Sequence, residues 1–468
     1  MWPTDEIRTS GRDVGRPKTE VATAVTGPDG VALARRQGYA VGSSAFTRAF
    51  GAAILGTAAA VFIGRRGSPF AVGLVATSFS VGTMLFAPAW GALADVTGRR
   101  RLAAVLASGL AACALLFLPL VTDIWASLAL LALYAVFASG YGTIVLSILS
   151  VDSGTGDRGR AIGFFNGANA AGVAGGQVAV GLLLTVLTRS ELYVLVSITL
   201  FVGTALIAFV RDNGPELEPL SLSEILGKMR GRLLPRAGSR DHLTTNGLSW
   251  LYFAMVLRVT AIAGVGSIMP VFLVQELGLS EIAMGLLLAL NPALQTYLMY
   301  RLGRSADRIG RKPLIVGGMI GSGVFALVVS TASLVPSIAF LRQATVALGY
   351  VVLALSFSAM WTASIAFVGD VASAERNSEL IGYLTTASSL GGVIGPAAVG
   401  AMATVFSYTT AFAVASLAAF AAAVTAAARV RETQTDATPS LVDVVVRVTP
   451  FDRRRLTKSW LSGRDRED

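Results

Sequence analysis

This chain has almost none of the residues from which enzyme sites and covalent cross-links are built. It holds one cysteine, Cys113, and one histidine, His242, in 468 residues. A single cysteine excludes an intrachain disulfide, and because Cys113 lies in an apolar run it gives no reading of the redox compartment. No nucleophile stands beside a base, no ligand cluster has metal-binding spacing, and no phosphate loop is present. The expectation is therefore no enzyme, no catalytic residue, no cofactor and no metal. Charge is scarce as well: 14% of residues are Asp, Glu, Lys or Arg against 54% hydrophobic. A mean hydropathy of +0.66 lies outside the range of a soluble domain. Residues 1 to 38 are polar, with no apolar core close behind a charged start, so a cleavable signal peptide is not expected.

What the chain does have is long apolar runs. A helix needs about 20 apolar residues to cross a bilayer, and twelve runs qualify. They fall near 41–63, 70–92, 102–121, 124–149, 161–187, 192–210, 248–273, 282–301, 314–333, 338–368, 380–406 and 410–428. The fold class expected is an all-α integral membrane protein. Its divisions are a tail over 1–39, a six-helix bundle over 40–210, a polar linker over 211–247, a second six-helix bundle over 248–430 and a tail over 431–468. The linker stretch "LSLSEILGKMRGRLL" sets Leu222, Ile225, Leu226, Met229 and Leu233 at helical spacing, as an interfacial helix or a solvated surface helix would.

Placing both termini in the cytoplasm leaves only Arg65, Arg66 and Arg189 in outside loops. Basic residues concentrate on the cytoplasmic side of membrane proteins, so this orientation in a cell membrane is expected. The formal charge of +10 then reflects topology and contact with anionic lipid rather than nucleic acid.

"GALADVTGRRR" at 91–101 and "GRSADRIGRKP" at 303–313 share order and spacing. A shift of 212 carries Gly91, Asp95, Gly98, Arg99 and Arg100 onto Gly303, Asp307, Gly310, Arg311 and Lys312, and Gly73 onto Gly285. Asp152 and Arg158 before the fifth run recur as Asp370 and Arg376 before the eleventh. The halves are therefore parallel repeats, the arrangement in which one bundle rocks against the other around a midplane site.

Twelve runs, a central linker and two copies of G-x-L-a-D-x-x-G-R-R/K at matching places resemble the major facilitator superfamily of secondary transporters. The resemblance covers nearly the whole chain. It implies two six-helix bundles related as parallel repeats, alternating access, a small-molecule substrate, contact with membrane lipid and a monomer. It does not extend to the antiporter Gly-Pro of helix five, where Gly175-Gly176 stand here, or to the arginine of helix four, where this chain has Val136, with Ser139 and Gly140 following.

Physical argument gives these loops a role of their own. The fifth and eleventh helices begin on the cytoplasmic side, where free N–H groups favour an anion, so Asp95 and Asp307 are suited to reach them across the interface. Asp152 and Asp370 sit at helix C-termini, where a carboxylate needs a cation; Arg99 or Arg100, and Arg311 or Lys312, are the candidates. Together these residues are a candidate cytoplasmic charge latch, one that breaks when the inside opens.

A charge inside a span costs about 2.5–3.5 kcal/mol on insertion scales. Arg48 and Arg258, near-equivalent in the repeat, are therefore candidate substrate-binding residues, able as a facing pair to grip a phosphate or carboxylate. Organic-anion and phosphate-ester exchangers of the superfamily resemble this. The competing reading has both arginines bonding freed carbonyls or reaching the interface. Tyr134, Tyr141 and Trp361 are further candidate pocket residues, with Tyr297, Asn166 and Gln177 behind them. No Asp or Glu falls inside any of the twelve runs, which disfavours a cation extruder that titrates a buried carboxylate. The expectation is transport of a small organic solute with an anion in view. Drug or metabolite efflux is the alternative, and a transporter-like sensor or scaffold the second.

Overall fold

The computed structural model describes residues 28–152, 158–210, 212, 221–233, 245–303, 309–336, 338–372 and 377–434. Among these, 12 helices are long and apolar enough to cross a membrane. They are α1 Pro28–Gly64, α2 Pro69–Thr97, α3 Arg100–Leu116, α4 Ile124–Asp152, α5 Arg158–Val186, α6 Arg189–Ala208, α7 Leu248–Val271, α8 Glu281–Gly303, α9 Arg311–Thr331, α10 Ala339–Val371, α11 Asn377–Val405 and α12 Tyr408–Arg429. Between the halves a linker helix, Leu222–Leu233, starts with a capping box: Ser221 N donates to Glu224 Oε2 at 2.8 Å and Glu224 N to Ser221 Oγ at 3.4 Å. The hydrogen bonds from Ser221 hold the Glu224 carboxyl below the ordinary carboxylate range.

Two boundaries differ from expectation. α1 begins at Pro28, inside the stretch read as a tail, because "VALARR" at 31–36 is made of good helix formers. α2 continues to Thr97, so Asp95 lies on its last turn and not in a loop. Gly98 then ends the helix at φ 66°, a left-handed conformation that glycine alone adopts freely, and Gly310 repeats the positive φ at 98°.

Local chemistry sets the other helix ends. Pro69 occupies the first turn of α2 behind Ser68, whose side chain accepts from Ala71 N. Thr188 and Glu191 form a capping box on α6, and Ser407 caps α12.

Each half packs in the same way. α1 lies on α5 and α6, α3 on α4 and α6, and α2 on α4, and the second half repeats these contacts six helices later. The halves meet along two seams, α2 with α11 and α5 with α8, where glycines stand at the closest approaches. A Cβ on Gly285 would lie 2.6 Å from the Gln177 carbonyl, one on Gly181 2.7 Å from the Glu281 carbonyl, and one on Gly73 would collide with the Pro396 carbonyl. Gly73 and Gly285 are repeat-related, so the same glycine admits the opposing helix in both seams.

Candidate functional site

The face bearing the Gly98 and Gly310 turns is called the loop face below. Between it and the opposite face, a cavity of about 570 Å³ lies among α5, α7, α8, α9 and α10. Asn166, Asn169 and Gln177 line it from α5 and Asn291 and Gln295 from α8, with Tyr350, Phe325, Leu353, Ile262 and Gly266 among the rest. None of its lining residues is charged. Pro292 on α8 also lines it; having no N–H, it leaves the Leu288 carbonyl without its usual helical donor, and Leu288 faces the same cavity. Gln295 Nε2 donates to Asn291 Oδ1 at 2.9 Å, and Thr57 Oγ1 of α1 donates to Gln177 Oε1 at 2.8 Å.

On the opposite-face side of this cavity the halves are shut. Arg65, after α1, pairs with Glu281 at the start of α8. Gly64 packs against Val271. Along the other seam Phe70 N donates to Thr404 Oγ1 at 2.9 Å and Thr77 Oγ1 to the Val393 carbonyl at 3.1 Å.

The five residues singled out as substrate candidates, Arg48, Arg258, Tyr134, Tyr141 and Trp361, do not line this cavity. The arginines do not form the facing pair described above; each guanidinium is engaged within its own bundle. Arg48 donates to the Ala138 carbonyl and lies 4.4 Å from the centroid of Tyr141. Tyr141 in turn donates to Ser44 Oγ at 2.9 Å, and Ser44 to the Gly203 carbonyl at 2.8 Å. Arg258 is 3% exposed; its Nε donates to Ser322 Oγ at 3.0 Å and its guanidinium lies 5.2 Å from the Phe357 centroid. Each of the two arginines stacks on an aromatic of the fourth helix of its half, which disperses its charge where the described residues pair it with no carboxylate. They differ in one respect, since Arg258 Nη2 is buried with no hydrogen-bond partner among the described residues. Trp361 stacks on Phe357 at 5.9 Å with ring planes 8° apart, and Tyr134 packs edge-on against Phe79.

Arg258 nonetheless belongs to the cavity's neighbourhood. Ile262 and Gly266, which line it, follow Arg258 at successive helical turns, and Leu353 stands one turn from Phe357. The guanidinium lies one turn toward the loop face from the cavity wall.

At the loop face, Arg311 is 6% exposed, and its Nε donates to Asp370 Oδ2 at 3.1 Å. Arg100 approaches Asp95 at 3.4 Å, and Ser147 Oγ lies 3.5 Å from the same carboxylate. Asp95, at the negative end of α2, is therefore supplied with donors from its own half. Arg99 is exposed. Asp307 and Arg376 lie outside the described residues, as do the side chains of Asp152 and Arg158. Two acids that sequence reasoning passed over also act here: Asp212 accepts from Arg101 N at 3.1 Å, and Glu432 from Arg311 N and Lys312 N at 3.0 and 2.9 Å. They follow the last helix of each half and cap α3 and α9, a second device repeated between halves.

Twelve candidate spanning helices, with a polar cavity lined from both halves, give the make-up of a membrane transporter. The chain belongs to the Major Facilitator Superfamily, whose family model matches twice, at residues 41–250 and 251–462. It is similar to Multidrug resistance protein 1 of Bacillus subtilis (strain 168), 30% identical over 164 residues, which are 35% of this chain and 40% of that protein. The chain thus spans well under two thirds of that relative's length in the match. Among solved structures it resembles the nucleoside transporter NupG (TM-score 0.66, 12% identity, 84% of this chain and 98% of that one). It also resembles an auto-inhibited POT family peptide transporter (0.67, 16%, 85% and 97%). A bacterial homologue of the human lysosomal transporter Spinster in an inward-facing, unoccupied conformation is a third (0.63, 15%, 84% and 95%).

Proposed function

We propose that this transporter carries a small organic solute by alternating access through the cavity between α5 and α8, and that the structure is the state sealed on the outside. The observation that carries this reading is the placement of the cavity: both halves line it, and among the described residues the inter-half ion pair and the glycine contacts at Gly64, Gly73, Gly181 and Gly285 lie on its opposite-face side. With the loop face in the cytoplasm of a cell-membrane protein, as the distribution of basic residues favours, the open side is inward.

In the latch reading Asp95, which lies against Arg100 and Ser147 of its own half, contacts a helix end across the interface when the inside is closed. Flux of a transported solute into proteoliposomes tests both readings. Asp95→Asn should slow turnover with surface expression unchanged, and Asn291→Leu should lower apparent affinity. Normal turnover in Asp95→Asn removes the latch; unaltered affinity in Asn291→Leu removes the cavity.

Efflux of drugs or metabolites is a second reading, favoured by the similarity to Multidrug resistance protein 1 over its matched segment. An anionic solute is a third, for which Arg258 and its unpartnered Nη2 speak.

A further inference from the structure

From the chemistry of the cavity wall we infer that the solute is uncharged and is recognised by paired hydrogen bonds to side-chain amides; this rests on the cavity being the substrate site. Five carboxamides converge there, Asn166, Asn169 and Gln177 from the first half and Asn291 and Gln295 from the second. A carboxamide offers a donor and an acceptor in one plane, so it matches any neutral group that carries both, such as a cyclic amide edge or adjacent hydroxyls.

The hydrogen bonds already made leave this capacity available. Gln295 Nε2 donates to Asn291 Oδ1, so the Asn291 NH₂ and the Gln295 carbonyl are left as a donor and an acceptor one helical turn apart on α8. Gln177 accepts from Thr57 and keeps its NH₂. Asn166 and Asn169 make no side-chain hydrogen bond among the described residues that would occupy them. The two sets come from opposite halves, so a solute that bonds both bridges the seam.

Charge argues in the same direction. An ion in this cavity would give up hydration with no opposite charge on the wall to replace it. Neither arginine of the matched pair lines the cavity: Arg48 donates to the Ala138 carbonyl and Arg258, through Nε, to Ser322, each against an aromatic ring, with Arg258 Nη2 left without a partner among the described residues one turn beyond the wall. A neutral solute loses only hydrogen bonds to water, which the amides restore. The volume of about 570 Å³ suits a nucleoside or a monosaccharide.

The test uses the full-length protein, purified in detergent, and two series that vary charge on a fixed scaffold. One is uridine, uridine 5′-monophosphate and 5′-amino-5′-deoxyuridine; the other is glucose, glucose 6-phosphate and glucosamine. Thermal stabilisation is read for wild type, Asn291→Leu, Gln295→Leu and Asn291→Asp. The expected result is stabilisation by at least one neutral member and not by its charged relatives, with about tenfold weaker binding in the Leu variants and a gain for the amino member in Asn291→Asp. Stabilisation confined to charged members, or by no neutral member at millimolar concentration, overturns the uncharged class. Neutral binding that is unchanged in both Leu variants, in protein whose unliganded melting is normal, overturns the cavity as the site and leaves the class standing.

Discussion

The α2–α11 and α5–α8 seams are related by the internal repeat, yet among the described residues the amide cavity lies along the second. Along α2–α11 the halves stay in contact from the opposite face to mid-depth: Gly400 lies against Pro69, Gly73 against Pro396 and Gly392 against Ser80. Along α5–α8 the same glycine contact is present at Gly285, but below Gln177 the helices are lined by amides and part around a cavity. The repeat places Phe79 in α2 where α8 has Asn291, and Phe79 packs on Tyr134 within its own bundle. At this depth one seam therefore presents an aromatic ring that packs within its own bundle and the other an amide that faces the cavity. The difference teaches that a duplicated scaffold can keep its hinge in one copy of a seam and place recognition in the other.

Five substitutions would break or sharpen this contrast. The largest effect is expected for Gly73→Leu, which drives a side chain into the α11 backbone; flux should fall below detection and the melting temperature should drop, whereas Gly266→Ala, whose Cβ meets nothing within 4 Å, should melt as wild type. Next, Asn291→Phe copies the tight seam's residue into the cavity. Transport should fall by about a hundredfold in folded protein, a loss of about 2.7 kcal/mol, and retained flux would mean that the amide wall is not the route.

A smaller effect is expected at the loop face. Asp370→Asn leaves the buried Arg311 without its carboxylate and should destabilise by about 1–3 kcal/mol, seen as a lower thermal midpoint. Asp95→Asn should cost less than about 1 kcal/mol, because Asp95 is 41% exposed and exposed pairs contribute little. The smallest is Glu281→Gln. It removes the ion pair that helps shut the α5–α8 seam, and by the same rule for exposed pairs it should shift the equilibrium toward outward opening about two- to fivefold. Labelling of a cysteine placed beneath Arg65 measures that shift, and high salt should mimic it in wild type alone.

Most of the scaffold was legible in the residues. Twelve apolar runs became twelve helices, and the repeat that pairs Gly98 with Gly310 and Gly73 with Gly285 recurs as a positive φ at the first pair and a close inter-half approach at the second. The site was legible only in part. Asn166 and Gln177 could be named as polar residues within spans, but Asn169, Asn291 and Gln295 carry no local signal, since an amide that packs within a bundle and one that lines a cavity look alike in a sequence. The placement of the arginines was not legible for a related reason. A charge in a span is conspicuous wherever it points, and here Arg48 and Arg258 point into their own bundles, where a carbonyl, a hydroxyl and aromatic faces receive them.

The sequence by itself determined the number of helices and the division into two related halves. In hydrocarbon each segment must satisfy its own backbone hydrogen bonds, so a run of about 20 apolar residues has one outcome regardless of its neighbours. Only the tertiary structure decided which seam holds a cavity, which side is sealed and which polar side chains converge. Asn166 and Asn291 line one cavity because two bundles approach at Gly181 and Gly285. That approach depends on packing between surfaces far apart in the chain, which no local pattern encodes.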